Sequence, residues 1–395
     1  MKHSAHPASG QRAITLGEIA KLYQSRTISG HELTPHGYPV YGANGHIGYY
    51  SNFNHYQSQI AVTCRGNTCG RVNFVPPRSW ITGNAMVVNV DGRSDVDKRF
   101  LFHYLNGQDL TGLITGSGQP QIVRGPLARL EILLPALSEQ QRIAAVADEA
   151  DDLIATLELV IAKKQAIKQG MMQQLLTGRT RLPGFMDRWS PVRLRDAGGT
   201  YGGLVGKTKE DFGTGSATFV TFMEVMQGVR LRGRRLAPVR VRPTERQNRV
   251  LRGDVLFNGS SETPEEVALA AVVDYDPNPA TYLNSFCFGY RLKTHDQIDP
   301  TYLAHFFRSH QGREAVSVLA QGATRYNIAK TKLLDVAPLL PSIDEQRAIV
   351  TVLSDVEAEI EGLNARLTKA RAIKTGMMQE LLTGRTRLPV EEGAA

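Results

Sequence analysis

The stretch that begins at Leu134 reads LPALSEQQRIAAV, and the stretch that begins at Leu340 reads LPSIDEQRAIVTV. Further along, IKQGMMQQLLTGRTRLPG begins at Ile167 and IKTGMMQELLTGRTRLPV begins at Ile373. Both pairs are offset by 206 residues without a gap. The chain therefore contains an internal repeat, and this repeat decides how the rest of the sequence is divided.

Each repeat copy carries apolar residues at steps of three and four, the spacing typical of a coiled coil. These predicted seam residues are Ile143, Ala147, Ala150, Ile154, Leu157 and Ile161 in the first copy and Ile349, Leu353, Val356, Ile360, Leu363 and Leu367 in the second. Ser138 or Asp344 is placed to cap the start of a helix, and Thr-Gly at 177–178 and 383–384 is placed to end it. We expect two helices of about 40 residues, each about 60 Å long. One chain supplies both, so we expect them to pair with each other, with a homodimeric coiled coil as the alternative.

The repeat extends upstream of these helices. Gly116, Ile122 and Leu127 match Gly322, Ile328 and Leu333 at the same offset, and FLFHYL at Phe100 resembles YLAHFF at Tyr302. Before those positions the two halves share little beyond pattern. The predicted order is thus domain, helix, domain, helix. The predicted boundaries are 1–138 and 185–342 for the two domains, and 139–184 and 343–395 for the two helical regions.

Both domains show short alternating apolar runs broken by Gly, Asn and Pro, followed by a short helix. The predicted strands are 59–63, 70–75 and 85–90 in the first domain and 218–222, 253–258, 266–273 and 288–292 in the second; the predicted helices are 97–106 and 300–309. The fold class we predict is α+β. Two globular α+β domains alternate with two long antiparallel coiled-coil helices in an internal repeat of pseudo-two-fold character.

The charge of the chain favours a polyanionic partner. The net charge is +8, of which residues 1–138 and 185–339 carry +5 each, while 139–184 is neutral and 340–395 carries −2. Residues 230–252 contain nine arginines and one glutamate. Arginine forms paired hydrogen bonds with phosphates and guanine edges, so nucleic acid is favoured over a merely solvated face.

The first domain is less basic but rich in amides and aromatic rings, as in YPVYGANGHIGYYSNFNHYQ from Tyr38 to Gln57. Such residues suit loops that reach into a groove, where Asn and Gln can bind adenine edges. Core packing of the rings is the alternative. The candidate DNA-binding residues are Asn44, Arg65, Arg71, Gln119, Gln121, Arg124, Lys207, Arg230, Arg232, Arg234, Arg235, Arg325, Tyr326 and Asn327.

Motifs of catalysis are missing from the sequence. Gly206-Lys207-Thr208 resembles the end of a P-loop, but Tyr201 stands where the motif needs glycine, so Lys207 is kept only as a possible phosphate contact. Three cysteines provide no disulfide framework, and we assign no metal or cofactor to this chain. Without an apolar run of membrane length or a secretory signal, we expect a cytoplasmic protein that binds rather than reacts.

The duplicated EQ and LLTGRTRLP segments, the long helices and the YGANGHIGYY loop resemble the specificity subunit of type I restriction–modification systems. The resemblance covers essentially the full length. It implies a non-catalytic reader of double-stranded DNA whose two target recognition domains each bind half of a bipartite site. It also implies methyltransferase and restriction subunits as partners, which bring S-adenosylmethionine, ATP and Mg.

Two unequal domains related by an approximate two-fold axis favour an asymmetric site with half-sites about one turn, ~34 Å, apart. Three alternatives remain open at this point. The chain could serve a methylation-only or orphan system, it could be an enzyme with its own site, or it could be a coiled-coil adaptor that binds proteins.

Overall fold

The computed structural model describes residues 12–43, 45–116, 118–322 and 325–388. The chain forms two compact units, one made of residues 1–159 with 364–395 and the other of residues 160–363. Each unit contains one predicted domain, called here module 1 (residues 1–138) and module 2 (residues 185–342). The units also divide both long helices, so the four predicted boundaries stay a prediction. No helix in the described ranges is long and apolar enough to cross a membrane.

Module 1 builds a four-stranded antiparallel sheet in the order β2-β8-β5-β6 and a three-stranded sheet in the order β4-β3-β7. A third pair, β1-β9, joins the start of the module to its end. The elements are β1 Arg12–Thr15, α1 Leu16–Ile19, β2 Lys21–Gln24, β3 Tyr38–Gly42, β4 Gly45–Tyr50, β5 Gln59–Thr63, β6 Val72–Val75, β7 Trp80–Ile81, β8 Ala85–Asn89, α2 Lys98–Asn106, α3 Arg124–Ala128, β9 Glu131–Leu134 and α4 Leu137–Leu175.

Module 2 builds a five-stranded sheet in the order β11-β19-β15-β17-β13 and a three-stranded sheet in the order β14-β12-β18. Two short pairs, β16-β20 and β10-β21, complete it. The elements are β10 Ser190–Pro191, α5 Leu194–Ala197, β11 Gly198–Gly202, β12 Phe212–Val220, α6 Phe222–Gln227, β13 Arg230–Leu231, β14 Leu236–Val239, β15 Val255–Asn258, β16 Ser260–Ser261, β17 Ala270–Val273, β18 Thr281–Leu283, β19 Cys287–Leu292, α7 Pro300–Arg308, α8 His310–Ser317, β20 Tyr326–Asn327, α9 Lys330–Leu333, β21 Leu339–Leu340 and α10 Ile343–Leu382.

The two modules share a strand connectivity that is not evident from their sequences. The order β2-β8-β5-β6 corresponds to β11-β19-β15-β17, and in each three-stranded sheet the central strand has one antiparallel and one parallel neighbour. The fold-class prediction is confirmed. Two local predictions are wrong. The segment 38–57 is largely the β3-β4 hairpin and not a loop, and the strand expected over 266–273 begins only at Ala270, because Ala268 turns the chain with a φ of 57°.

Both long helices end where the sequence indicated. Gly178 and Gly384 follow α4 and α10 with φ values of 71° and 69°, the left-handed conformation that terminates helices. The predicted starts differ, because Ser138 and Asp344 lie inside the first turn of their helices. At α10 the side chain of Ser342 accepts the hydrogen bond from the Glu345 amide at 3.4 Å instead.

Within each unit α4 and α10 run antiparallel, as the order of the ion pairs between them shows. In the first unit Asp151 pairs with Lys374 and Glu158 with Arg371. In the second unit Lys164 pairs with Glu359 and Lys168 with Glu357. All twelve predicted seam residues are buried or half-buried.

The repeated EQ motif anchors each module to its helix. Gln140 is fully buried, accepts from the Asp97 amide at 2.8 Å and donates to the Asp95 carbonyl at 3.0 Å. Gln346 makes the same contacts in module 2 with the main chain of residues 299 and 297. Since each amide side chain satisfies the backbone at the start of the short helix α2 or α7, glutamine is required in both copies.

The neighbouring glutamates explain why TGRTRLP is repeated. Arg181, from the first copy, forms two hydrogen bonds of 2.5 and 2.7 Å with Glu345, from the second. Conversely, Arg387 of the second copy lies 3.8 Å from Glu139 of the first. The ion pairs are therefore reciprocal, with each copy supplying the partner of the other.

Candidate nucleic-acid interface

Five predicted DNA-binding residues of module 1 come together in one loop cluster, defined by residues 64–71 and 115–124. Arg65 and Thr115 each form a β-bridge with Gln121, and the Gly66 amide donates to the Pro120 carbonyl at 3.1 Å. These backbone contacts bind the two segments together while leaving their side chains outside. The exposed members are Arg65, Arg71, Gln119, Gln121 and Arg124.

Module 2 has a loop cluster in the corresponding place, defined by residues 259–261, 284–287 and 325–330. Strand β20 pairs with β16, and the Ile328 amide donates to the Gly259 carbonyl at 3.1 Å. Gln321 bridges Asn327 as Thr115 bridges Gln121 in module 1. The three predicted residues Arg325, Tyr326 and Asn327 thus occupy the positions of Gln119, Pro120 and Gln121.

One glycine shapes the turn of each cluster. Gly116 has a φ of 91° and Gly322 a φ of 134°, values that side chains rarely allow. A Cβ atom on Gly116 would lie 2.5 Å from the Gln119 carbonyl oxygen, and on Gly322 it would lie 2.0 Å from that of Arg325. Glycine at both positions lets the loop fold back and present residues 119 and 325.

The module 2 cluster also contains residues that the sequence did not single out. Phe286 is 57% exposed, and the Arg325 guanidinium lies 5.5 Å from the centre of its ring. A depression of about 300 Å³ beside it is lined by Ser260, Asn327 and Lys330 among others. The Ser260 hydroxyl is buried and has no hydrogen-bond partner among the described residues. The repeat could have revealed this site, because Asn327 matches Gln121.

Chemically, both clusters can bind a polyanion and distinguish base edges. They combine exposed guanidinium groups with amide side chains, the two kinds of group that hydrogen-bond guanine and adenine most specifically. Module 2 adds an exposed aromatic ring and an unpaired hydroxyl. No group of three metal-ligating side chains occurs in the described part of the chain.

Two arginines of the arginine-rich segment are less available to bind DNA than the composition of the segment indicated. Arg230 pairs with Asp274 at 2.7 Å and donates to the Ser354 hydroxyl at 2.9 Å, and Arg232 pairs with Glu361 at 2.9 Å. These two arginines thus contact the long helix α10. Arg234 and Arg235 are exposed, although Arg235 donates to Gln227 at 3.2 Å. None of the four belongs to the module 2 loop cluster.

Lys207 has a structural role in place of the predicted phosphate contact. Its side chain is only 3% exposed, lies 2.5 Å from the Glu245 carboxylate and donates to the Arg240 carbonyl at 2.6 Å. Hydrogen bonding from this ammonium group lowers the pKa of Glu245 to about 2. Asn44, the remaining candidate, lies outside the described residues.

Comparison with known proteins identifies one family. The sequence profile of the type I restriction modification DNA specificity domain matches residues 10–169 and 244–370. The specificity subunit of the type I restriction enzyme EcoprrI from Escherichia coli is 30% identical over 157 residues, which cover 38% of this chain and 39% of that subunit. The specificity subunit of MjaVIII from Methanocaldococcus jannaschii is 24% identical over 353 residues, which cover 84% of this chain and 80% of that subunit.

A solved structure shares the whole fold. The crystal structure of the S subunit of the type I restriction–modification system from M. genitalium superposes with a TM-score of 0.64. The match covers 97% of this chain and 98% of that one at 14% sequence identity. At this identity the likeness concerns the arrangement of helices and strands.

Proposed function

The chain belongs to the family of type I restriction–modification DNA specificity subunits, and from this premise we propose that it reads an asymmetric, bipartite DNA site through its two loop clusters. The observation that carries the proposal is a positional equivalence between the two modules. Asn327 occupies the backbone position of Gln121, and Arg325 occupies that of Gln119. Two clusters of one geometry but different side chains would read two different half-sites. The site would then lack two-fold symmetry.

Base recognition in this proposal rests on side chains that the backbone holds outward. Gln121 and Asn327 are exposed amides next to β-bridges, which fix their Cα positions. An amide can bind the adenine edge in the major groove with two hydrogen bonds, and Arg325 can do the same with guanine. Arg65, Arg71 and Arg124 would bind phosphates and set the register of module 1 on the duplex.

Catalysis is assigned to partner subunits. We propose that the helices α4 and α10 form the scaffold on which methyltransferase and restriction subunits dock. Those subunits would supply S-adenosylmethionine, ATP and Mg for catalysis. A methylation-only or orphan system would use the same reader with the methyltransferase alone.

Mapping methylated bases tests this proposal directly. The chain is combined with its methyltransferase subunits, and the methylated adenines are located in genomic DNA for the wild type, Gln121→Ala and Asn327→Ala. We expect each substitution to relax one half-site only, with a loss of about 1–3 kcal/mol at one base pair. Gln165→Ala, an exposed amide on α4, is the control that leaves both halves unchanged. The proposal fails if both half-sites change together or if neither does.

The salt dependence of binding separates this function from a coiled-coil adaptor that binds proteins. Contacts with phosphates release counterions, so the affinity of the assembled complex for DNA should fall steeply between low and moderate salt. The triple variant of Arg65, Arg71 and Arg124 to Gln should reduce that slope. A coiled-coil adaptor that binds proteins would show no salt-dependent affinity for DNA.

A further inference from the structure

The second unit contains a cavity of about 440 Å³ between module 2 and the long helices, called here the cationic cavity. Its charged lining consists of Lys168, Arg230, Arg232, Arg308, Glu357 and Glu361. Met172, Val229 and Ile360 form an apolar part of the wall. None of these residues belongs to the loop cluster of module 2, so the cavity is separate from the proposed DNA-reading site.

Three of the four cations have carboxylate partners. Lys168 lies 2.6 Å from Glu357, and the pairs of Arg230 and Arg232 with Asp274 and Glu361 were described above. Arg308 differs, because its guanidinium donates to the carbonyls of Ala270, Val225 and Met226 and to no other group among the described residues. No carboxylate lies within ion-pair distance of it among the described residues, and its burial lowers its pKa to about 10. A buried charge of this kind is unfavourable until an anion balances it.

The internal repeat provides a reference for this cavity. The first unit has a cavity of about 510 Å³ at the equivalent place, lined by His103, Asn106, Lys374 and Met378 among others. Lys374 and Met378 match Lys168 and Met172 at the offset of 206. Asn106 stands where module 2 has Arg308. The fold therefore accepts a neutral residue there, so packing alone does not require the arginine.

A second difference between the repeat copies, at Asp148 and Ser354, also makes the second unit more positive than the first near the cavity. In the first unit His103 donates to the Asp148 carboxylate at 2.6 Å. The repeat-equivalent of Asp148 is Ser354, whose hydroxyl accepts from Arg230 in place of a histidine. The lining of the second cavity holds four cations and two carboxylates, whereas Lys374 is the one lysine or arginine in the lining of the first among the described residues, so the second cavity is the more positive of the two.

We propose that the cationic cavity binds a small phosphate-bearing anion. Arginine is suited to phosphate oxygens because its planar guanidinium donates two parallel hydrogen bonds, and Lys168 adds a point charge. The cavity is larger than a single phosphate needs and lies in the size range of ligand sites. Its apolar wall of Met172, Val229 and Ile360 fits the organic part of a phosphate ester such as a nucleotide.

Calorimetric titration of the full chain with pyrophosphate and with ATP, both without metal, tests the proposal. We expect one site, and about tenfold weaker binding for Arg308→Asn, which copies the first cavity. Since Arg308 also bonds three carbonyls, its variant could unfold, and Lys168→Gln is the second variant. Lys374→Gln is the matched control, because Lys374 occupies the equivalent place in the first cavity and should leave binding unchanged.

The outcomes separate the sources of the phosphate. Tighter binding of ATP than of pyrophosphate indicates a nucleotide, and displacement of pyrophosphate by duplex DNA indicates a backbone phosphate of DNA. Either result supports the phosphate site if Lys168→Gln weakens it and Lys374→Gln does not. Absence of binding by both probes, or equal binding by wild type and Lys168→Gln, overturns the proposal. Neither result bears on the base readout tested by methylation mapping.

Discussion

The scaffold and the loop clusters of this chain are both duplicated, yet only the scaffold is duplicated in sequence. The segments around Gln140 and Gln346 are nearly identical, whereas Gln119 and Arg325 occupy one backbone position with different chemistry. The difference follows from what each residue contacts. Arg181 and Arg387 of the scaffold each pair with a glutamate of the other repeat copy, so a change in one requires a change in its partner. Gln119 and Arg325 are exposed, so they can differ without disturbing the packing of the scaffold.

The two reciprocal ion pairs differ in geometry and in burial. The Glu345 side chain is 1% exposed and receives two hydrogen bonds from Arg181. The Glu139 side chain is 11% exposed and lies 3.8 Å from Arg387. The same residue types in the same repeat positions therefore form one buried, bidentate pair and one looser pair.

Removal of the buried pair should have the largest effect on stability. Arg181→Ala leaves Glu345 buried without its cation and should lower the free energy of unfolding by about 3 kcal/mol. Arg387→Ala should lower it by about 1 kcal/mol or less, since that pair is looser and more exposed. Urea unfolding followed by circular dichroism measures both. Equal losses would show that the two halves of the scaffold are equivalent after all.

The glycine turns provide the next comparison. Gly322→Ala and Gly116→Ala should each cost about 1–3 kcal/mol locally and distort one loop cluster, because the new Cβ would strike a carbonyl oxygen. Each variant should therefore lose recognition of one half-site in the methylation map and keep the other. Gly118→Ala is the control from the same loop, since nothing lies within 4 Å of its Cβ position. A normal map for Gly322→Ala would contradict this role.

The smallest effect concerns two buried histidines at equivalent places. His305 has no hydrogen-bond partner for either ring nitrogen among the described residues, and burial lowers its pKa to about 4. Between pH 6.5 and 4 the unfolded chain therefore binds more protons at this position than the folded chain. Stability that is present above pH 6.5 should be lost progressively as the pH falls through that window.

His305→Leu should make the melting temperature less sensitive to acid without a loss at neutral pH, because it leaves no hydrogen-bond partner unsatisfied. Burial also lowers the pKa of His103, but this histidine donates to Asp148. His103→Leu should therefore destabilise the protein already at neutral pH. Melting curves at several pH values distinguish the two. An unchanged acid response in His305→Leu would exclude His305 as a source of acid sensitivity.

Self-similarity within the sequence was enough to predict the repeat, and local periodicity was enough to predict the two long helices and the positions of α2 and α7. Gln119, Gln121 and Arg124 were chosen for their side-chain chemistry; the structure brings them together on one exposed loop cluster, and their contact with DNA stays a prediction. The common sheet order of the modules could not be predicted. It depends on strand pairings that many apolar sequences satisfy, so the two modules reach it without shared residues.

The charge run illustrates a different limit. An arginine-rich segment predicts attraction to a polyanion only if its arginines are not already paired within the protein. Arg230 and Arg232 instead bind Asp274, Ser354 and Glu361, of which the last two lie more than 100 positions away in sequence. Lys207 likewise forms an ion pair with Glu245. Long-range pairing of this kind is set by the tertiary fold and has no signal in local composition.

The contacts of the two buried glutamines make each module an exchangeable cassette. The hydrogen bonds of the Gln346 side chain to module 2 go to main-chain atoms of residues 297, 299 and 341, and a foreign module offers main-chain atoms as well. Both reciprocal ion pairs, moreover, have all four members outside residues 185–342. A foreign module could therefore be spliced in by recombination with both reciprocal ion pairs intact, although it would have to replace the contacts that Arg230 and Arg232 make with Ser354 and Glu361.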